Sequence, residues 1–201
     1  MTLDIKDIAY RLNGKEQSFT KSSQITTPGD KIDYAYVILS GRVRQYDIRS
    51  NGTDITLNIY REGSLLTLPW ILDKNISTNF VECIEDSRLI AVPIQAFTKE
   101  FATNHELTFE MLKRLSRGID GIFTRLAAHG TNDASYKIMT ELKIEAARFG
   151  EEMQNGTFVA IRPSVIANRT GMARETVSRN LRKLVEAKTI LVHSSGYIIP
   201  K

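Results

Sequence analysis

The sequence predicts an α+β fold: a β-rich amino-terminal region, one long helix, and a carboxy-terminal helix-turn-helix closed by a hairpin. Three observations predict it. Short apolar segments separated by turn residues fill the first hundred positions, the hydrophobic period turns helical near residue 104, and the last forty residues combine two short amphipathic helices with a basic charge. Of the 201 residues, 42% are apolar and 25% charged, close to globular averages, so a packed core is expected and disorder or a collagen-like repeat is not. No apolar run approaches the roughly 18 residues of a membrane span. The start MTLDIKDIAY mixes acidic and apolar residues, unlike a secretory leader. The single cysteine, Cys83, excludes an intramolecular disulfide, a four-cysteine zinc site and a cysteine-ligated iron–sulfur cluster within one chain. A cytoplasmic location is expected.

In the first region the segments Tyr36-Val37-Ile38-Leu39, Ile55 to Tyr60, Phe80-Val81 and Arg88 to Val92 alternate with turn signals at Pro28-Gly29-Asp30, Ser40-Gly41, Ser50-Asn51-Gly52-Thr53 and Asp73-Lys74-Asn75. Asn51-Gly52 predicts a hairpin on a type I′ turn, which needs positive φ at both central residues. Many short strands at close spacing predict a barrel, roll or sandwich. Further on, Leu112, Leu115, Ile119, Ile122 and Leu126 fall at alternating spacings of three and four, the seam of a coiled coil. Leu107, Met111 and Phe123 lie off that seam and can face the β-rich region. A helix apolar on two sides needs two partners, its own domain and the same helix of a second subunit; burial inside a monomer is the alternative. His129-Gly130-Thr131-Asn132 ends this helix, and Asp133 is placed to cap another from Ala134 to Phe149. A loop from Gly150 to Gly156 and a strand at Thr157–Ile161 follow.

Charge sets the final part aside. The net charge is +4, yet residues 161–201 hold eight basic and two acidic residues, a net of +6, which leaves the other 160 at −2. A basic end on a neutral-to-acidic body points to a polyanion partner, unless the basic side is only a solvated helix face. Pro163 is placed to open a short helix with Val165, Ile166 and Ala167 on its apolar side. Thr170-Gly171 makes a tight turn, and a second helix runs from Ala173 to Ala187 with Val177, Leu181, Leu184 and Val185 inward. Ile190–His193 and Tyr197–Ile199 flank Ser194-Ser195-Gly196 as a hairpin, completing a winged helix-turn-helix. In such a fold the second helix enters the major groove of DNA with its amino-terminal residues on base edges. Arg174, Glu175, Ser178 and Arg179 share its outward face. Arginines can fork onto guanine O6 and N7, and a carboxylate can accept from cytosine N4. Ser164, Arg169, Thr176, Arg182 and Lys183 are candidates for phosphate contacts, which position the protein without reading sequence. Glu175 and Arg179 also stand at the i,i+4 spacing of a surface ion pair, and both roles are compatible.

The run Thr170-Gly171-Met172-Ala173-Arg174-Glu175-Thr176-Val177-Ser178-Arg179 resembles the recognition segment of the bacterial CRP/FNR transcription regulators. Pro28-Gly29-Asp30 followed by Tyr36 to Val43 resembles the opening of their β-roll. The resemblance covers residues 20–201. It implies a cyclic-nucleotide-binding-like β-roll over 1–104, a dimerisation helix over 105–130 with Leu112, Leu115, Ile119, Ile122 and Leu126 at the interface, and a winged-helix DNA-binding domain over 131–201. It also implies double-stranded DNA, a second copy of the chain and RNA polymerase as partners, with the 150–159 loop a candidate polymerase contact. Arg174, Glu175 and Arg179 would take the family's base-reading places, with Ser178 beside them, on an inverted repeat of TGA-containing, TGTGA-like half-sites.

The sensing site departs from that pattern. Nucleotide sensors of this family carry a Glu for the ribose and an Arg for the cyclic phosphate; Leu68 and Ser77 stand in those places here. Ile122 and Phe123 stand where small hydroxyl residues meet the base. A cyclic phosphate buried without a cation would be an uncompensated charge, so cyclic AMP and cyclic GMP are not expected ligands. One cysteine rules out the oxygen-sensing cluster of the FNR branch, and His105, His129 and His193 are far apart for axial ligation of heme. What remains is an apolar pocket lined by Leu65, Leu66, Leu68, Trp70, Phe80 and Phe123, for a hydrophobic or uncharged effector or for none. No cofactor or metal is expected.

Two other classes compete. An enzyme would want a nucleophile beside a base, a phosphate loop or a metal cluster, and the sequence has no Gly-x-Ser-x-Gly, Walker loop, His-Glu-x-x-His or Cys-x-x-Cys. The remaining alternative is an effector-binding module of the cyclic-nucleotide type that regulates a protein partner without touching DNA. The basic 161–201 segment weighs against it.

Overall fold

The computed structural model describes residues 4–66 and 68–201; the first three residues of the MTLDIKDIAY start and Thr67 lie outside the described residues. The chain divides into two compact units, Met1–Arg114 and Leu115–Lys201, with the boundary inside the long helix. In chain order the first unit holds α1 (Ile5–Arg11), β1 (Lys15–Phe19), β2 (Gln24–Thr26), β3 (Tyr34–Ser40), β4 (Val43–Ile48), β5 (Asp54–Tyr60), α2 (Leu68–Leu72), β6 (Phe80–Cys83), β7 (Ser87–Pro93), α3 (Ile94–Thr103) and the start of α4 (His105–His129). Its strands form a β-roll of two antiparallel sheets, ordered β1-β7-β3 and β2-β6-β4-β5.

Sheet position explains the strand patterns. β7 is central and lies under α1 and α3, so Leu89, Ile90, Ala91 and Val92 are all buried and the strand reads as a continuous apolar run. In β4 and β6 the period is two. Val43, Val81 and Cys83 face the core at 0% exposure, while Arg44 pairs with Glu82 and Tyr46 with Phe80 on the opposite face. Leu107 and Met111 enter the roll's core from α4, as their place off the seam predicts.

The region read as β-rich also contains α1, α2 and α3. α1 is two turns long, with Asp4 accepting from the Lys6 N–H at its start and Ile5, Ile8 and Ala9 buried. An apolar stripe that short gives no helical period across a longer window. Asn104 separates α3 from α4, its side-chain oxygen accepting from the Leu107 N–H. The β4–β5 connection is not the expected type I′ turn. Arg49 N–H donates to Thr53 and Gly52 N–H to Arg49; Gly52 has φ +78°, while Asn51 is not at positive φ and its side chain accepts from Thr53. One left-handed residue suffices for this three-residue loop.

The second unit continues with α5 (Ala134–Phe149), β8 (Glu151–Met153), β9 (Gly156–Val159), α6 (Pro163–Thr170), α7 (Arg174–Glu186), β10 (Leu191–His193) and β11 (Gly196–Pro200). Asp133 caps α5 as predicted, accepting from the Ser135 and Tyr136 N–H groups. The stretch from Gly150 to Gly156, expected as a loop, contains β8 and its turn; β8 pairs with β9 at the edge of a sheet ordered β10-β11-β9-β8. Every β8 residue is exposed, so no alternation marked it as a strand. The core of this unit combines Ile138 and Leu142 of α5, Val159, Ile161, Ile166 and Ala167, the α7 residues Val177, Leu181 and Leu184, and Ile190.

One residue assigned to the surface is inside. Arg169, expected on a phosphate, is 2% exposed, and its Nη1 donates to Glu145 at 2.9 Å and to Glu141 at 3.5 Å. It faces α5 and not solvent, so it is no phosphate contact.

Candidate nucleic-acid interface

α6 and α7 are joined by a turn that their sequence dictates. Pro163 occupies the first turn of α6, where its missing N–H costs nothing. Gly171 ends the helix at φ +68°, a left-handed conformation in which its N–H reaches the Ala167 carbonyl. Thr170 reinforces the stop, its hydroxyl donating to the Ile166 carbonyl at 2.7 Å. α7 begins three residues after Gly171, and burial of Val177, Leu181 and Leu184 fixes which face turns outward.

That outward face carries Arg174, Glu175, Ser178 and Arg179, all exposed and brought together as the i, i+1, i+4, i+5 spacing requires. Arg182 and Lys183 are exposed further along α7, and Ser164 and Thr176 are half-buried near the helix starts. Neither α6 nor α7 has a side-chain cap; in α6 the Val165 and Ile166 N–H groups donate to the Arg162 carbonyl and Pro163 has none, so the uncapped start of α7 offers the more open set of first-turn N–H groups to an anion. Asn180, unremarked in the sequence, steadies α7: its amide donates to the Thr176 carbonyl, and its oxygen accepts from Ser135 at the start of α5. β10 and β11 form the wing, with Ser194 and Ser195 exposed at its tip.

The seam residues of α4 sit outward as well. Leu112, Ile119, Ile122 and Leu126 are 40–68% exposed, and Leu115 is half-buried. Together they form an apolar strip on a helix whose Leu107 and Met111 are already in the core.

The expected apolar pocket does not take the form assigned to it. Leu65, Leu66, Leu68 and Trp70 pack into the roll's core. Phe80 points to the other face of its sheet, stacked on Tyr46 at 5.0 Å with the Arg44 guanidinium 4.2 Å from the Tyr46 ring centre. Phe123 is 63% exposed on α4. The core-facing side instead carries an uncharged hydrogen-bond chain that the sequence reading missed. Tyr60 donates to Gln45, Gln45 to Asn79, and Trp70 to Thr78, at 2.9–3.0 Å. Its sequence signal was Gln45, a polar residue in line with Val43 on the inward face. Ser77 is 1% exposed, donates to the Asn79 carbonyl at 2.6 Å, and shares a hydrogen bond with Thr26. The arginines of β4 and its approach are matched by carboxylates, Arg42 with Glu85 and Arg44 with Glu82 and Asp54.

Residues 16–104 match the cyclic nucleotide-binding domain family. Over 189 residues the chain is 27% identical to the global nitrogen regulator of a Nostoc species, covering 92% of this chain and 85% of that protein. It is 26% identical over 205 residues to the anaerobic regulatory protein of Bacillus subtilis, covering 98% of this chain and 83% of that one. The solved structure of a CooA mutant from Carboxydothermus hydrogenoformans matches 100% of this chain and 92% of its own with a TM-score of 0.81, at 20% identity, a likeness of fold.

Proposed function

We propose that this chain is a transcription regulator of the CRP/FNR type, like the regulators it resembles, and that it works as a homodimer reading a two-fold symmetric DNA site through α7. One observation carries this reading: Arg174, Glu175, Ser178 and Arg179 stand together on the solvent face of a helix whose opposite face is core. Two arginines and a carboxylate at that spacing suit guanine and cytosine edges in the major groove, in half-sites with a TGA core. Ser164, Thr176, Arg182 and Lys183 hold the phosphates alongside. The apolar strip Leu112, Leu115, Ile119, Ile122 and Leu126 supplies the dimer contact, and two-fold symmetry then puts half-site centres about one helical turn apart, 10–10.5 bp. RNA polymerase meets the exposed strand β8 and the turn that follows it.

The roll, in this reading, takes no cyclic nucleotide. Leu68 and Ser77 offer neither ribose grip nor phosphate cation, and Ser77 is tied into the fold. Calorimetry with cyclic AMP and cyclic GMP should give no heat; micromolar binding of either would overturn this part. The effector, where there is one, is uncharged, in keeping with the Tyr60–Gln45–Asn79 chain.

The competing reading, a roll that regulates a protein partner without DNA, predicts little salt dependence. Affinity of the dimer for duplex DNA should fall linearly on log axes, with a slope of about −0.9 per phosphate neutralised. A flat dependence between low and physiological salt would favour the competitor.

A further inference from the structure

We propose that Arg125 and Glu141 are positioning residues that fix the spacing of the two reading heads, and so set which half-site separation the regulator accepts. This rests on the symmetric-dimer reading above. The core of the second unit draws its side chains from α5, β9, α6, α7 and the segments beside them. The end of α4 meets α5 in another way. Arg125 Nε donates to Glu141 Oε1 at 2.8 Å, with side chains 15% and 2% exposed. One turn earlier, at Gly121, a Cβ would come within 3.9 Å of the Ile144 side chain. Apolar contact is non-directional, whereas a guanidinium on a carboxylate holds an angle.

The same carboxylate faces both ways. Glu141 Oε1 takes Arg125 from α4, and its Oε2 takes Arg169 from α6, which Glu145 holds as well. Two cations and two anions thus run in an unbroken buried line from α4 through α5 to the first helix of the helix-turn-helix. Arg125 also adjoins the proposed dimer face, since Leu126 is 68% and Ile122 60% exposed. Only residues 130–133 join α4 to α5, so the angle between them depends on side-chain contacts. In a dimer that angle sets the distance between the two α7 helices. An ionic line with one favoured geometry therefore holds a register that an apolar seam would let slip.

The test uses full-length protein and three symmetric duplexes: the preferred site, and versions one base pair longer and shorter. Each added pair turns a half-site by about 35° and moves it about 3.4 Å. Wild type should lose at least about tenfold in affinity on either altered duplex. Arg125→Gln should remain a dimer by sedimentation and keep its affinity for non-specific DNA, while its spacing discrimination falls to about threefold or less. Glu141→Gln, which leaves the Arg169–Glu145 pair in place, should do the same. Tenfold discrimination retained by the Arg125→Gln dimer overturns the proposal. Wild type that accepts all three spacings equally overturns instead the symmetric-dimer reading beneath it.

Discussion

Replacing Glu145 by Leu is the sharpest test of the buried ionic line. Arg169 has a fully buried side chain, its shortest contact is to Glu145 at 2.9 Å, and its Nε and Nη2 have no hydrogen-bond partner. Without Glu145 it retains one contact of 3.5 Å, to a carboxylate it shares with Arg125. Breaking a buried pair from one side costs about 3–5 kcal/mol, a large fraction of a domain's stability. Removing both sides differs. Glu145→Leu with Arg169→Met leaves the Arg125–Glu141 pair intact, deletes the two unpartnered nitrogens, and fills the space with apolar groups of similar length. That double variant should fall within about 1 kcal/mol of wild type or exceed it. Far-UV circular dichroism during urea unfolding follows the helices and strands of both units, and the loss in the second unit is the part of that transition that departs from the Trp70 signal. Fluorescence of Trp70, the only tryptophan and part of the first unit's core, is the internal reference. A loss below about 1 kcal/mol for Glu145→Leu, or a double variant no better than the single, refutes the reasoning.

Three other outcomes follow from the same structure. Arg179→Ala should weaken binding to the preferred duplex by about 1–3 kcal/mol per half-site and relax base preference, with the dimer intact by sedimentation; loss of the dimer would mean that α7 is misassigned. Leu126→Asp, at a position 68% exposed in the single chain, should leave folding within about 0.5 kcal/mol but abolish dimerisation in analytical ultracentrifugation; an intact dimer would remove the seam from the interface. Burial raises the Cys83 thiol above its ordinary 9.0, and Tyr36 and Tyr197 above 10.0. The unfolded chain therefore releases these protons first. Stability is full below pH 9 and falls as pH rises toward the folded values, so the urea midpoint should drop between pH 8 and pH 10 while Cys83 stays unreactive to thiol reagents. A rising midpoint or rapid native labelling would contradict this.

Much of the second unit was legible because short-range rules decide it. Asp133 as cap, Pro163 at a helix start, Gly171 at a left-handed stop and the Val177-Leu181-Leu184 stripe each act within a few residues. Where sequence and structure part, residue type and hydrophobic period point in opposite directions. Arg169 falls three residues after Ile166, and Glu141 and Glu145 fall in line with Ile138 and Leu142, so all three charges stand on inward stripes. Charge sent Arg169 to the surface, although two acids and a base on facing stripes supply each other's partners. The apolar side chain of Phe80 predicts an inward place, whereas alternation with Val81 and Cys83 turns it outward and brings Gln45 inward. The edge strand β8 and the two-turn α1 carry too little pattern to be read locally. Which carboxylate meets which arginine is a tertiary fact that no local rule contains.

In-vitro selection from random duplexes, with the full-length protein at fixed near-physiological salt and no added ligand, addresses the proposed function most directly. The predicted result is one two-fold symmetric site with TGA-containing half-sites centred 10–10.5 bp apart. A folded dimer that enriches no symmetric site, or only single half-sites, would contradict it.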